Sequence, residues 1–156
     1  MLKKRLIPKL LLRFRGEKKI PILVNSYKFL HYKTIGDPIS QAKIYEAQSA
    51  DELAILNIDS LDLQNNKFCL DYLKKFSENI FMPLTFGGGV KSVNCFNLLL
   101  NSGADKVSIN KNAVLKPNLI SESVKNFGSQ CVVVSIDFKK VNESFEVFIN
   151  KGKERI

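Results

Sequence analysis

A chain of 156 residues, 45% hydrophobic and 25% charged, has the length and mix of a single soluble domain with one substantial core, which excludes a multidomain machine. Its formal charge of +9 is concentrated towards the N-terminus in Lys3, Lys4, Arg5, Arg13, Arg15, Lys18 and Lys19. That balance suits an anionic partner, and with no nucleic-acid-binding module beside it the expected anion is a phosphorylated metabolite.

No stretch has the unbroken apolar length of a membrane span, and the N-terminus lacks a signal-peptide pattern. Cys69, Cys95 and Cys131 show no CxxC spacing. The expectation is therefore a cytoplasmic protein with buried free thiols, no membrane contact, no metal and no cofactor.

In chain order, Arg5 to Phe14 is a mostly apolar run that suits a strand buried on both faces of a parallel sheet. Lys18 to Thr34 is polar, aromatic and aperiodic, and reads as a long loop with at most a small hairpin. It runs into Gly36-Asp37-Pro38, a helix start. Ile39 to Ser49 has helical spacing, Glu52 to Ile58 reads as a second buried strand, and Leu70 to Ile80 as a second helix.

A third strand begins after Pro83. Ser92 caps a third helix that runs to Asn101 and stops at Gly103. Lys106 to Asn110 is a fourth strand, and a helix over Leu119 to Phe127 opens near Pro117 and ends at Gly128. Gln130 to Asp137 is a fifth strand, rich in β-branched residues, and the alternation from Lys139 to Ile149 reads as a hairpin arm extending it.

Strict alternation of strand and helix implies a parallel sheet with crossover helices. Four βα units and a fifth strand could form an open doubly wound sheet or half of an eight-stranded barrel. Two stretches point to chemistry. Leu84 to Val90 ends in Gly87-Gly88-Gly89, and Lys106 to Asn110 ends in Ser108-Ile109-Asn110. Each is an apolar strand that stops in residues able to bring backbone N–H groups against a phosphate.

Six ordered motifs carry a resemblance: RLIP at Arg5 to Pro8, GDPI at Gly36 to Ile39, ADEL at Ala50 to Leu53, PLTFGGGVKSV at Pro83 to Val93, GADKVSIN at Gly103 to Asn110, and FGSQCVVVSID at Phe127 to Asp137. Together they resemble the HisF-type family, the cyclase subunit of imidazole glycerol phosphate synthase in histidine biosynthesis. The resemblance implies an α/β fold, a partial (β/α)8 barrel of the ribulose-phosphate-binding type. Residues 1–156 would form its N-terminal part, about three fifths of the family's usual length.

It implies further that Gly89, Asn110 and Lys111 match one of the family's two phosphate sites. Asp137 matches one of two catalytic aspartates, and Leu11 stands where the other is expected. Leucine transfers no proton, so the paired-carboxylate mechanism of this carbon–nitrogen lyase is broken. Asn25 and Asn57 replace a matched lysine and a matched aspartate, with Asp59 further out on its strand.

At the other end of the strands, Arg5, Glu52 and Lys106 match the ring that gates ammonia from a glutaminase (glutamine amidotransferase) partner, and Asp105 and Gln130 match the glutaminase-facing side. Leu11 and the spacing from Tyr32 to Pro38 are most similar to HisF-like proteins associated with sugar amidation in surface-polysaccharide (lipopolysaccharide) synthesis, although Lys9 stands where those have cysteine.

Three roles follow: a diverged cyclase subunit with an impaired catalytic pair, a non-catalytic ammonia conduit and scaffold, or an inactive gene fragment. Because four and a half units cannot close a barrel, a fragment, a second chain completing the barrel and self-association of two copies are the corresponding assemblies.

Overall fold

Parallel strands that each return through a helix must bury one sheet face under those helices, and the buried residues follow that rule. In the computed structural model, residues 4–27, 31–59, 63 and 65–156 are described. Lys3, counted in the basic N-terminal run, and residues 28–30 of the long loop lie outside them.

The strands are β1 (Lys9–Arg15), β2 (Ile20–Tyr27), β3 (His31–Gly36), β4 (Leu53–Asn57), β5 (Leu84–Gly87), β6 (Lys106–Ile109), β7 (Val132–Val134), β8 (Asp137–Val141), β9 (Ser144–Ile149) and β10 (Glu154–Arg155). The helices are α1 (Pro38–Ala47), α2 (Lys67–Ser77), α3 (Val93–Asn101), α4 (Lys111–Leu115) and α5 (Asn118–Phe127). A seven-stranded sheet has the order β3-β2-β1-β4-β5-β6-β7, and β10-β9-β8 form a separate three-stranded sheet.

From β1 through β4, β5 and β6 to β7 every pairing is parallel and between successive units. With right-handed crossovers, a monotonic order puts all the helices on one face, the winding of a barrel; a doubly wound sheet needs a reversal of order. The core lies on that helical face. Leu10 and Leu12 of β1, Leu53 and Ile55 of β4, and Phe86 of β5 pack with Leu73, Phe76, Phe96 and Leu99 of α2 and α3. Phe76, Phe86 and Phe96 are among the largest fully buried side chains.

Local chemistry sets the element ends. Asp37 Oδ1 accepts from Ser40 N at 2.8 Å to cap α1, with Pro38 in its first turn. Ser92 Oγ accepts from Cys95 N at 3.4 Å at the start of α3, the cap expected from sequence.

The structure corrects several readings. β1 is not buried on both faces: Leu10 and Leu12 are buried, whereas Lys9 is exposed and Leu11 half-buried. The stretch read as a long loop with room for a small hairpin is a full antiparallel pair of strands. β2 lies antiparallel on β1 from Leu11↔Val24 to Arg15↔Ile20, and β3 on β2, covering backbone groups of β1 that β4 does not reach. The connection from β6 to β7 holds an additional short helix, α4.

The fifth strand is only three residues long, because Ser129–Cys131 is taken into a 3-10 turn and Asp137 already opens β8. The hairpin arm thus forms a sheet of its own and does not extend β7. Val134 and Ile136 are exposed large apolar residues of that segment. Cys69 and Cys95 are buried, but Cys131, expected to be so, is only half-buried.

Candidate functional site

Polar groups gather at both ends of the parallel strands. At the C-terminal ends, β5 runs into Gly87-Gly88-Gly89 and β6 into Asn110. Gly88 has φ +110°, and a Cβ there would lie 2.0 Å from Asn57 O, so only glycine fits between the β4 and β5 ends. Gly89, at φ +74°, continues the turn. Asn110 Nδ2 donates to Ser135 O at 3.1 Å, tying the end of β6 to the end of β7, and Asn112 Nδ2 donates to Val90 O at 2.6 Å.

These turns surround a cavity of ≈ 520 Å³. Gly89, Asn110 and Lys111, which the resemblance assigns to a phosphate site, all line it. Among the described residues its wall carries three lysines, Lys91, Lys111 and Lys151, and no carboxylate. Ser108, from the stretch singled out in sequence, lines the cavity too, and Asn57 and Asn112 contribute polar groups that sequence reading did not assign to the site. A glycine turn, asparagine side chains and ammonium groups without a facing acid are chemistry able to receive a compact anion.

Beside it a second cavity of ≈ 410 Å³ is lined by Lys9, Leu11, Tyr32, Ser135 and Asp137. The structure thus brings Leu11 and Asp137 into one space, with a single carboxylate in its lining. One carboxylate can accept a proton, whereas Leu11 is a hydrocarbon that can neither accept nor donate one.

Asp59 does not take its place. Its carboxylate accepts from Arg13 Nε and Phe14 N, both at 2.7 Å, and Arg13 lies over the Tyr32 ring, 4.8 Å from its centroid. Asn57 Oδ1 accepts from Asp59 N at 3.0 Å, and Asn57 Nδ2 donates to Cys69 Sγ at 3.7 Å. Burial pushes the Cys69 thiol from 9.0 up to about 12, opposed by the Asn57 hydrogen bond and reinforced by the Asp59 charge. Cys69 is therefore a packing residue with an inert thiol. Asn25, in β2, accepts from Ser26 N through its own Oδ1.

At the N-terminal ends Glu52 is 5% exposed and holds two cations: Arg5 Nη1 donates to Oε1, and Lys106 Nζ to Oε2 at 2.5 Å. The three residues separated by 47 and 54 positions in sequence meet here. Asp105 is next to Lys106 but serves the backbone, accepting from Leu84 N at 2.7 Å. Gln130 is exposed and donates to Phe127 O at 3.4 Å. Neither is joined to the Glu52 cluster by a hydrogen bond or ion pair among the described residues. Among those residues no group of His, Cys, Asp and Glu could hold a metal ion, and no helix is long and apolar enough to cross a membrane.

Sequentially ordered parallel strands with their loops gathered at the C-terminal ends define part of a (β/α)8 barrel. The family model described as histidine biosynthesis protein matches residues 16–156. The imidazole glycerol phosphate synthase subunit HisF of Natranaerobius thermophilus is 44% identical over 152 residues, covering 97% of this chain and 58% of that relative. The subunit of the same name from Campylobacter concisus is 44% identical over 131 residues, covering 84% and 52%, and that from Flavobacterium psychrophilum 43% over 153 residues, covering 98% and 58%. The chain belongs to the histidine biosynthesis protein family, in its HisF-type branch. It spans somewhat over half the length of these relatives.

Proposed function

We propose that this chain is the phosphate-holding N-terminal part of a HisF-type cyclase subunit in which proton transfer for ring closure is lost. The observation that carries the reading is the lysine-walled cavity at Gly89, Asn110 and Lys111, free of carboxylate among the described residues and adjoining a space lined by both Leu11 and Asp137. The ligand class is a phosphorylated sugar derivative of the ribulose type. Its phosphate would sit in the first cavity and its polyol part in the second.

The test supplies the purified chain with the aminoimidazole ribotide precursor and either a glutaminase or ammonium salt. Binding without formation of imidazole glycerol phosphate is expected. Catalytic turnover would overturn the loss of the acid–base pair, and failure to bind any phosphate ester would overturn the site.

The Glu52 cluster favours a second reading, a non-catalytic ammonia conduit that docks a glutaminase and serves a separate sugar amidotransferase of surface-polysaccharide synthesis. What supports it is that Arg5, Glu52 and Lys106 remain joined while the carboxylate pair is gone. Under this reading Glu52→Ala abolishes stimulation of the glutaminase without changing phosphate-ester binding. Unchanged stimulation would sink it. A second chain completing the barrel is compatible with either reading, and sedimentation of the chain alone and with its partner measures it.

A further inference from the structure

We infer that Lys151, at the apex of the turn between β9 and β10, is a ligand-contacting cation that joins the phosphate cavity to the neighbouring one and selects phosphate esters bearing a polar chain. This inference rests on reading the first cavity as an anion site.

Six residues line both cavities: Asn57, Ile58, Gly88, Ser108, Asn110 and Lys151. Lys151 is the only charged one, so it stands where a phosphate in one space and a hydroxylated chain in the other would meet. Among the described residues no hydrogen bond or ion pair engages its side chain: the larger cavity offers no carboxylate, and Asp137, which lines the smaller cavity with Lys151, forms no ion pair with it. Lys91 and Lys111 bring two further positive charges to the same wall. Three like charges around one space repel each other until an anion enters.

The turn that presents Lys151 is built at a cost to the backbone. Asn150, Lys151 and Gly152 have φ of +53°, +61° and +70°, three consecutive residues in the left-handed region. Glycine and asparagine adopt it readily, but lysine does so against its Cβ. Side chains from three directions hold the strained segment. Lys111 Nζ donates to Asn150 Oδ1 at 2.8 Å, Asn150 Nδ2 donates to Glu154 Oε2, and Lys139 Nζ donates to Gly152 O. Ile149, just before the turn, is 1% exposed and anchors it from below.

Lys111 therefore has two tasks. Its backbone amide follows Asn110 at the cavity, and its ammonium clips the turn of the distant arm into position over the same cavity. The arm, read from sequence as an extension of the fifth strand, lines the cavity through Asn150 and Lys151.

Isothermal titration with ribose 5-phosphate tests the assignment on the unaltered chain and on Lys151→Ala, Lys151→Arg, Lys151→Gly and Lys153→Ala. Lys153 sits in the same turn, exposed, and lines neither cavity. Lys151→Ala is expected to weaken binding at least tenfold and to flatten its salt dependence, Lys151→Arg to keep most of the affinity, and Lys153→Ala to leave it unchanged.

Lys151→Gly separates contact from fold. It relieves the left-handed backbone, so its urea midpoint is expected to rise while its affinity falls as in Lys151→Ala. Binding by Lys151→Ala as tight as that of the unaltered chain would overturn the inference and leave the anion site standing. Absence of binding by the unaltered chain would overturn both.

Discussion

The two ends of the parallel strands solve opposite electrostatic problems. At the N-terminal end a buried carboxylate is held by two cations, and Asp105 and Asp51 accept from the backbone amides of Leu84, at the start of β5, and of Leu6, ahead of β1. At the C-terminal end, lysines line a space with no acid in its wall among the described residues. The first arrangement pairs its charges within the described residues. The second leaves its lysines without a carboxylate among the described residues of the cavity wall. The two ends thus differ in charge satisfaction and not only in charge count.

The largest effect on this contrast is expected from Gly88→Ala. Its methyl group would meet Asn57 O at a backbone angle alanine avoids, and neither strand end can yield cheaply. A loss of about 3 kcal/mol or more is expected in urea denaturation, together with loss of phosphate-ester binding.

Glu52→Gln attacks the other end. Removing the shared charge leaves two cations, but Arg5 is 58% exposed at its side chain and can rehydrate, so about 1–3 kcal/mol is expected. Binding at the opposite end should be unchanged. If it changed as well, the two ends would be coupled.

Alkaline pH probes the layer beneath the site. The folded-state pKa of Cys69 is raised, so above about 9.0 the unfolded chain loses this proton while the folded chain keeps it up to about 12. Stability is therefore expected to fall across that window, by at most about 1.4 kcal/mol per pH unit from this group. Tyr72, whose hydroxyl is raised by burial and by the Asp37 charge, adds to the fall at higher pH. Urea midpoints at pH 8 and pH 10 measure it, and with a thiol reagent at pH 8 Cys131 should react well before Cys69.

The smallest effect is expected from Arg13→Ala. The Arg13–Asp59 pair is 39% and 17% exposed at its side chains, and its loss together with the Tyr32 contact should cost about 1 kcal/mol or less.

The elements with the strongest periodicity and punctuation were legible from sequence. Pro83, Ser92 and Gly103 bracket β5 and α3 almost to the residue. β2 and β3 were not, because Pro21, Ser26 and scattered aromatics break the alternation of a half-buried strand, and pairing with β1 overrides that weak local signal. α4 is too short to show a period, and β7 lost its first residues to the turn at Ser129–Cys131.

Gly87 to Gly89 and Ser108 to Asn110 stood out in the sequence as a candidate cradle because each closes an apolar run, whereas Lys111 entered only through the resemblance. The meeting of Arg5, Glu52 and Lys106 was accessible only through resemblance, since separations of 47 and 54 residues carry no local pattern. Lys151 was missed for the same reason: the folding back of the arm places it, and no motif marks it.

The arm shares no strand with the seven-stranded sheet. Its ladder can therefore open without breaking a hydrogen bond of the larger sheet, and it forms a cooperative unit with its own opening free energy. Amides of β8 and β9 should exchange with deuterium faster than those of β4 and β5, and an anion held beneath the turn should slow that exchange selectively. Occupancy of the site would then be recorded in the protection of backbone amides that never touch the ligand.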